Sequence, residues 1–300
     1  MPQRRKCLFL ISFGLLYRRL GAFCHCRGED KISQLLVVGA LFWSKWSVGA
    51  LFALIVLGGV VEFYRLCRVG GSAPLVSLGL TSALVLFAIA FVVFERYGAA
   101  VGDAAGRMVT GLLLYTLLVV PTIFVCELWH KHDTPIQNIA VTFAGIIYVA
   151  LPMSMLLFIP QLLVGAWSPW AMLAYIAIIW ANDVFAYLTG IAFGRHRMAE
   201  RISPKKSWEG FVGGLIGAVA VGVAAGYGLG GNLYVWGGLA LVVALTGVAG
   251  DFVESLFKRS VGVKDSGSIM PGHGGVLDRF DALFISVPYA FVYLLIIGNC

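Results

Sequence analysis

Apolar runs at 47–62, 75–94, 108–125, 139–163, 170–188, 211–227, 233–250 and 283–297 alternate with short segments that hold most of the charge. A spanning helix needs about 20 mostly apolar residues, because the bilayer core offers no water and the backbone must satisfy its own hydrogen bonds. The pattern therefore predicts an all-α polytopic membrane protein with about eight or nine transmembrane helices. The run 35–43 is too brief to cross alone and reads as either a trimmed ninth helix or an interfacial one. Pro152, inside 139–163, predicts either a kink in one long span or the division of a re-entrant one.

Orientation follows from the basic connections. Arg195, Arg197, Arg201, Lys205 and Lys206 lie in one, and Lys258, Arg259, Lys264 and Arg279 in another, so both are expected in the cytoplasm. The spans 211–227 and 233–250 separate them, and the connection 228–232 has no charge. Parity then puts both basic loops on one side, where they predict a shared cytoplasmic-side polar cavity.

Composition agrees with the pattern. Apolar residues make up 60% of the chain and charged ones 12%, against roughly a quarter charged in a soluble domain; the mean hydropathy is +0.90. The net charge of +7 suits anionic headgroups or a phosphorylated substrate, and so apolar a chain is a poor fit to nucleic acid. Seven of the 22 basic residues fall in the first 33 positions, so only part of that excess belongs to a site. Met1 to Lys6 with the apolar run Cys7 to Leu16 imitate a signal sequence, but Tyr17, Arg18 and Arg19 stand where cleavage needs small residues. The segment reads as an uncleaved basic tail, or equally as an upstream extension outside the working protein. Of the six cysteines, only Cys24 and Cys26 lie close together, with one residue between them where zinc sites use two to four; reduced thiols are the simpler reading.

Ionisable groups in or at the ends of membrane spans cost about 2.5–3.5 kcal/mol each on insertion scales, so they are usually retained for function. Asp183 and Asp251 are such groups. Asp251, Glu254, Ser255 and Lys258 recur at three- and four-residue steps, which puts acids and a cation on one helical stripe. Farther on, Gly272, Gly274 and Gly275 flank His273, and glycine lets backbone amides approach an anion closely. Asp278 and Asp281, three apart at the start of the last span, present hard carboxylate oxygens suited to magnesium with phosphates. Lys205 and Lys206 offer point charges to phosphate. Singly, the acids are explained by the helix dipole, the lysines by topology and His273 by an ordinary loop hydrogen bond. Their convergence in so apolar a chain favours a site.

The segment Ser255, Leu256, Phe257, Lys258, Arg259, then Lys264, Asp265, Gly267 and the run from Pro271 to Asp281 resembles the signature of the phosphatidate cytidylyltransferase family, the CDP-diacylglycerol synthases. Asn182, Asp183, Ala186, Tyr187, Gly190, Gly194 and 203–210 also resemble it, and 46–66 more loosely. The resemblance runs from about Leu35 to the C-terminus and leaves the tail 1–34 outside. It divides the rest into N-terminal transmembrane helices at 35–165 and a C-terminal catalytic region at 166–300.

The resemblance implies a nucleotidyltransferase that makes CDP-diacylglycerol and pyrophosphate from CTP and phosphatidate, with magnesium and a potassium ion as the expected cofactors. The enzyme would lie in a bacterial inner membrane with its site toward the cytoplasm; a homodimer is one open alternative for its assembly. On this reading Asp251 and Asp278 bind metal with Asp281 in support, and Lys258, Arg259, Lys264 and Arg279 hold the triphosphate or lipid phosphate. Asp183, Lys205, Lys206, Ser255, Gly274 and Gly275 complete the substrate site. His273 either stabilises the departing pyrophosphate or shapes the glycine loop. The rivals are a CTP-dependent kinase of a polyprenol or other lipid alcohol and, from another class, an ion-coupled transporter.

Overall fold

The structure, a computed structural model, describes residues 28–97, 101–130, 133–199, 203–263, 266–267 and 275–298. Among them are eight helical segments long and apolar enough to cross a bilayer, matching the eight apolar runs; this is a multi-pass membrane protein. A short helix, α1 (Gly28–Trp43), precedes them. Its 16 residues make it about 24 Å long, less than the roughly 30 Å of a hydrocarbon core.

Helix α2 (Lys45–Val69) begins at a reciprocal cap in which the Ser47 amide donates to Ser44 Oγ and the Ser44 amide to Ser47 Oγ, both at 3.0 Å. Then come α3 (Val76–Tyr97) and α4 (Val101–His130). The turn joining α2 to α3 is tied to α5 (Pro135–Gly145): the Ala73 amide donates to Asn138 Oδ1 at 2.7 Å and the Leu75 amide to Thr142 Oγ1 at 3.0 Å. This fixes the end of α2.

The segment around Pro152 takes the first of its two expected forms, one long span with its helical ladder interrupted near the prolines. Helix α5 passes through a single wide turn, Ile146–Ala150, into α6 (Leu151–Leu156) and, after a short break, α7 (Ile159–Val164); together they form one 30-residue crossing. Pro152 has no amide hydrogen to give the carbonyl four residues back. The ladder slips by one residue just before it, and the Leu151 amide bonds to the Ile146 carbonyl.

Helix α8 (Pro169–Phe193) leads to an antiparallel hairpin, β1 (Arg197–Ala199) and β2 (Ser203–Ser207), followed by α9 (Trp208–Leu229), α10 (Leu233–Ser260) and α11 (Leu277–Gly298). Small residues let these helices approach closely, the usual solution where lipid is as apolar as the side chains. Gly213, Gly214 and Gly217 of α9 pack against Thr189, Asn182 and Phe185 of α8. Tyr64, Met153, Met172, Tyr175 and Phe284 fill the centre between α2, α6, α8 and α11. Exposed Leu113, Leu117, Leu118, Leu128 and Trp129 give α4 an apolar face suited to lipid.

Candidate active site

Two helix ends meet at one face of the bundle. The last turns of α10 carry Asp251, Glu254, Ser255 and Lys258, and the first turns of α11 carry Asp278 and Asp281. They come together because α10 has glycine where the helices cross: a Cβ on Gly250 would lie 2.5 Å from the Asp281 carbonyl oxygen and 3.2 Å from Ala282 Cα. Asp251, Glu254 and Asp281 thereby offer three carboxylate oxygens within 4.8 Å of one another.

Gly250→Ala should reverse the usual sign of a helix-interior glycine substitution, which favours alanine by about 1 kcal/mol. The added methyl has backbone in its way, so we expect a lower unfolding temperature in detergent. Gly247→Ala, whose Cβ would meet Ala282 Cβ at an ordinary 3.6 Å, is the tolerated control.

The hairpin reaches the same cluster. Lys206 forms an ion pair with Asp251, and its ammonium lies 4.6 Å from the Phe252 ring centre. The two basic connections, separated by α9 and α10, thus lie on one side as parity predicted, and the hairpin meets the end of α10 there. Glu209, at the start of α9, holds the hairpin's base by accepting from the Arg195 amide at 3.1 Å and contacting His196 Nδ1 at 2.6 Å. The Trp208 amide donates to the His196 carbonyl.

Lys258 lies between two carboxylates, 2.6 Å from Glu254 Oε2 and 2.7 Å from Asp278 Oδ1. Asp278 Oδ2 accepts from the Ser266 amide, the Ser266 hydroxyl and the Gly275 amide at 3.1, 3.0 and 2.8 Å. Asp278 is thus the tie between the signature loop, α10 and α11, and the Gly275 amide points at its carboxylate. The carboxylates that gather without such a set of donors are Asp251, Glu254 and Asp281. Ser255 donates to Asp251 Oδ1 over 3.4 Å, and among the described residues Glu254 Oε1 is buried without a hydrogen-bond partner. Carboxylates outnumber the two lysines among them, which favours a further cation, and hard oxygen donors suit magnesium.

Asp183 of α8 stands in the wall of a cavity beside this cluster, with Arg279 and Asp281; the rest of the lining is apolar and includes Phe52, Ile55, Ile176 and Trp180. Lys205 is exposed, and its carbonyl accepts from Arg197 at 3.3 Å. Arg259 is also exposed and donates to the Val263 carbonyl at 3.3 Å, closing the end of α10. Lys264, His273 and Gly274 lie outside the described residues.

Sequence reasoning passed over Glu62 of α2, which is fully buried and accepts from the Leu277 amide at 2.9 Å. Its signal was a carboxylate set among apolar neighbours, Val60, Val61 and Phe63.

Residues 31–297 match the model of the cytidylyltransferase family. The chain belongs to that family. The membership borne out here is the one read from residues 255–281. A protein of Rickettsia bellii named phosphatidate cytidylyltransferase is 32% identical over 188 residues, covering 60% of this chain and 79% of the relative. One of that name from Staphylococcus aureus is 47% identical over 120 residues, covering 39% of this chain and 46% of the relative. Another, from Mycobacterium bovis, is 43% identical over 128 residues, 42% of each chain. The family member described here thus spans most of the rickettsial relative and less than half of the other two in its matched segments.

Proposed function

We propose that the protein is a phosphatidate cytidylyltransferase, which joins CTP to phosphatidate to give CDP-diacylglycerol and pyrophosphate. The observation that carries this reading is the cluster of Asp251, Glu254 and Asp281 beside Lys206, at a face shared with the family signature. A phosphate monoester bears nearly two negative charges at neutral pH, so its oxygen attacks the α-phosphorus of CTP without a strong base. The new bond joins lipid phosphate to CMP, the bond between the α-phosphorus and its bridging oxygen breaks, and pyrophosphate leaves. What the chain must supply is neutralisation of like charges and an in-line arrangement.

Asp251, Glu254 and Asp281 would hold magnesium, which supplies positive charge to the triphosphate when bound. Lys205 and Arg279 are exposed and Lys206 is half-buried beside the cluster, and these three would serve as cations for phosphate. Lys258 and Asp278 work from behind, keeping the ends of α10 and α11 in register. The apolar cavity that includes Asp183 and Arg279 suits the glycerol backbone and proximal acyl carbons of phosphatidate. CTP is a cytosolic nucleotide and the two basic connections share one face, so that face is assigned to the cytoplasm of a bacterial inner membrane.

The test uses purified protein, dioleoyl phosphatidate, magnesium and CTP labelled in the α- or the γ-phosphate. Label from the α position is expected in lipid, with pyrophosphate released in equal amount. Label from the γ position in an added polyprenol would instead make the protein a kinase. No pyrophosphate with any phosphatidate would overturn the reading.

A further inference from the structure

We infer that Glu62 is a positioning residue for the signature segment, acting through the first turn of α11; the inference rests on the cytidylyltransferase reading for its catalytic consequence only. The carboxylate is fully buried in α2, far from the signature in sequence, yet it lies against Gly267, Gly275 and Leu277 of that segment. Its Oε2 accepts from the amide of Leu277, the first residue of α11. A Cβ on Gly267 would stand 2.5 Å from Glu62 Oε1, and a Cβ on Gly275 would run into Oε2. The two signature glycines therefore leave the room that the Glu62 carboxylate fills.

One turn earlier in α2, Gly58 gives similar room to Val276, whose Cγ2 would be 2.9 Å from an added Cβ. Gly58 and Glu62 lie four residues apart, so a single stripe of α2 forms the bed on which 275–277 rests. The bed sets the direction in which α11 starts, and with it the places of Asp278, which ties down Lys258, and of Asp281 in the carboxylate cluster. A carboxylate at a helix start also meets the positive end of the helix dipole. Among the described residues Oε1 is buried without a hydrogen-bond partner, so there the carboxylate is held by the room beside Gly267 and Gly275 and by the Leu277 amide.

Acceptance of the Leu277 amide needs an oxygen at that place and no charge, so Glu62→Gln should act as the conservative rescue and Glu62→Ala as the loss. Both full-length variants, in lipid nanodiscs beside the wild type, are to be read in two ways. In hydrogen exchange, the peptide covering 275–281 should lose protection at least tenfold in Glu62→Ala, with α3 and α9 unchanged and Glu62→Gln near wild type. In turnover, Glu62→Ala should lose at least tenfold in kcat and shift the half-saturating magnesium concentration upward, with KM for CTP within about threefold, while Glu62→Gln keeps at least a third of kcat. Unchanged exchange at 275–281 in Glu62→Ala overturns the inference. So does a loss of protection spread evenly over all helices, because that marks a general packing defect. If wild type makes no CDP-diacylglycerol while exchange at 275–281 still responds, the proposed function fails and the positioning role stands.

Discussion

Asp251→Asn is expected to lower CDP-diacylglycerol formation by at least about 100-fold, the scale seen when one preorganised electrostatic partner is removed from a reacting centre. The substitution keeps the volume and the acceptor for Ser255 but removes the charge shared by Lys206 and by the cluster with Glu254 and Asp281. The fold should tolerate it. The Lys206 and Asp251 side chains are 29% and 39% exposed, so solvent screens their pair and its loss costs on the order of 1 kcal/mol or less. The defect should thus appear in turnover, with higher magnesium needed for half-maximal rate, and not in the unfolding temperature. Rates in native membranes over a magnesium titration make the check; a near-normal rate would remove Asp251 from any metal role.

Asp278→Asn should behave differently. It alters the residue that accepts from Ser266 and Gly275 and faces Lys258, so its first effect is on the unfolding temperature. The sequence treated both aspartates alike because both stand at helix ends within one signature. Which carboxylate is engaged and which is left open depends on where a loop folds back, and spacing along the chain does not carry that information. The same holds for Lys258, which the signature offered to phosphate and the structure places between Glu254 and Asp278.

The spans were legible because the bilayer imposes length and apolarity on every crossing, and parity then put Lys206 and Asp251 on one side across two helices. Parity fixes a side and not a neighbour. Nothing in the sequence says that α2 passes beneath α11, so Glu62 was visible only as an odd charge in an apolar run. Pro152 was ambiguous for a related reason: its missing amide demands a local adjustment, and whether the chain bends or turns back depends on what packs around Ile146–Ala150.

Lys258→Met is the substitution expected to cost most in stability, roughly 3–5 kcal/mol, the range for removing one partner of a buried ion pair. The side chain is 13% exposed and its partners Glu254 and Asp278 are 3% and 15% exposed, so water can do little to replace the lost cation. The two acids should suffer unequally. Asp278 keeps its donors from Ser266 and Gly275, whereas Glu254 already has one buried oxygen without a hydrogen-bond partner among the described residues and loses the ammonium that served the other. Adding Glu254→Gln to Lys258→Met should therefore recover part of the stability, with a coupling of about 1–3 kcal/mol between the sites. Denaturant unfolding of the solubilised single and double variants measures that coupling. If Lys258→Met unfolds like wild type, the lysine is not a tie between α10 and α11 and returns to the set of cations offered to phosphate. If it unfolds early and Glu254→Gln restores it, Lys258 serves the reaction by holding the carboxylate face together, and phosphate binding falls to Lys206 and Arg279.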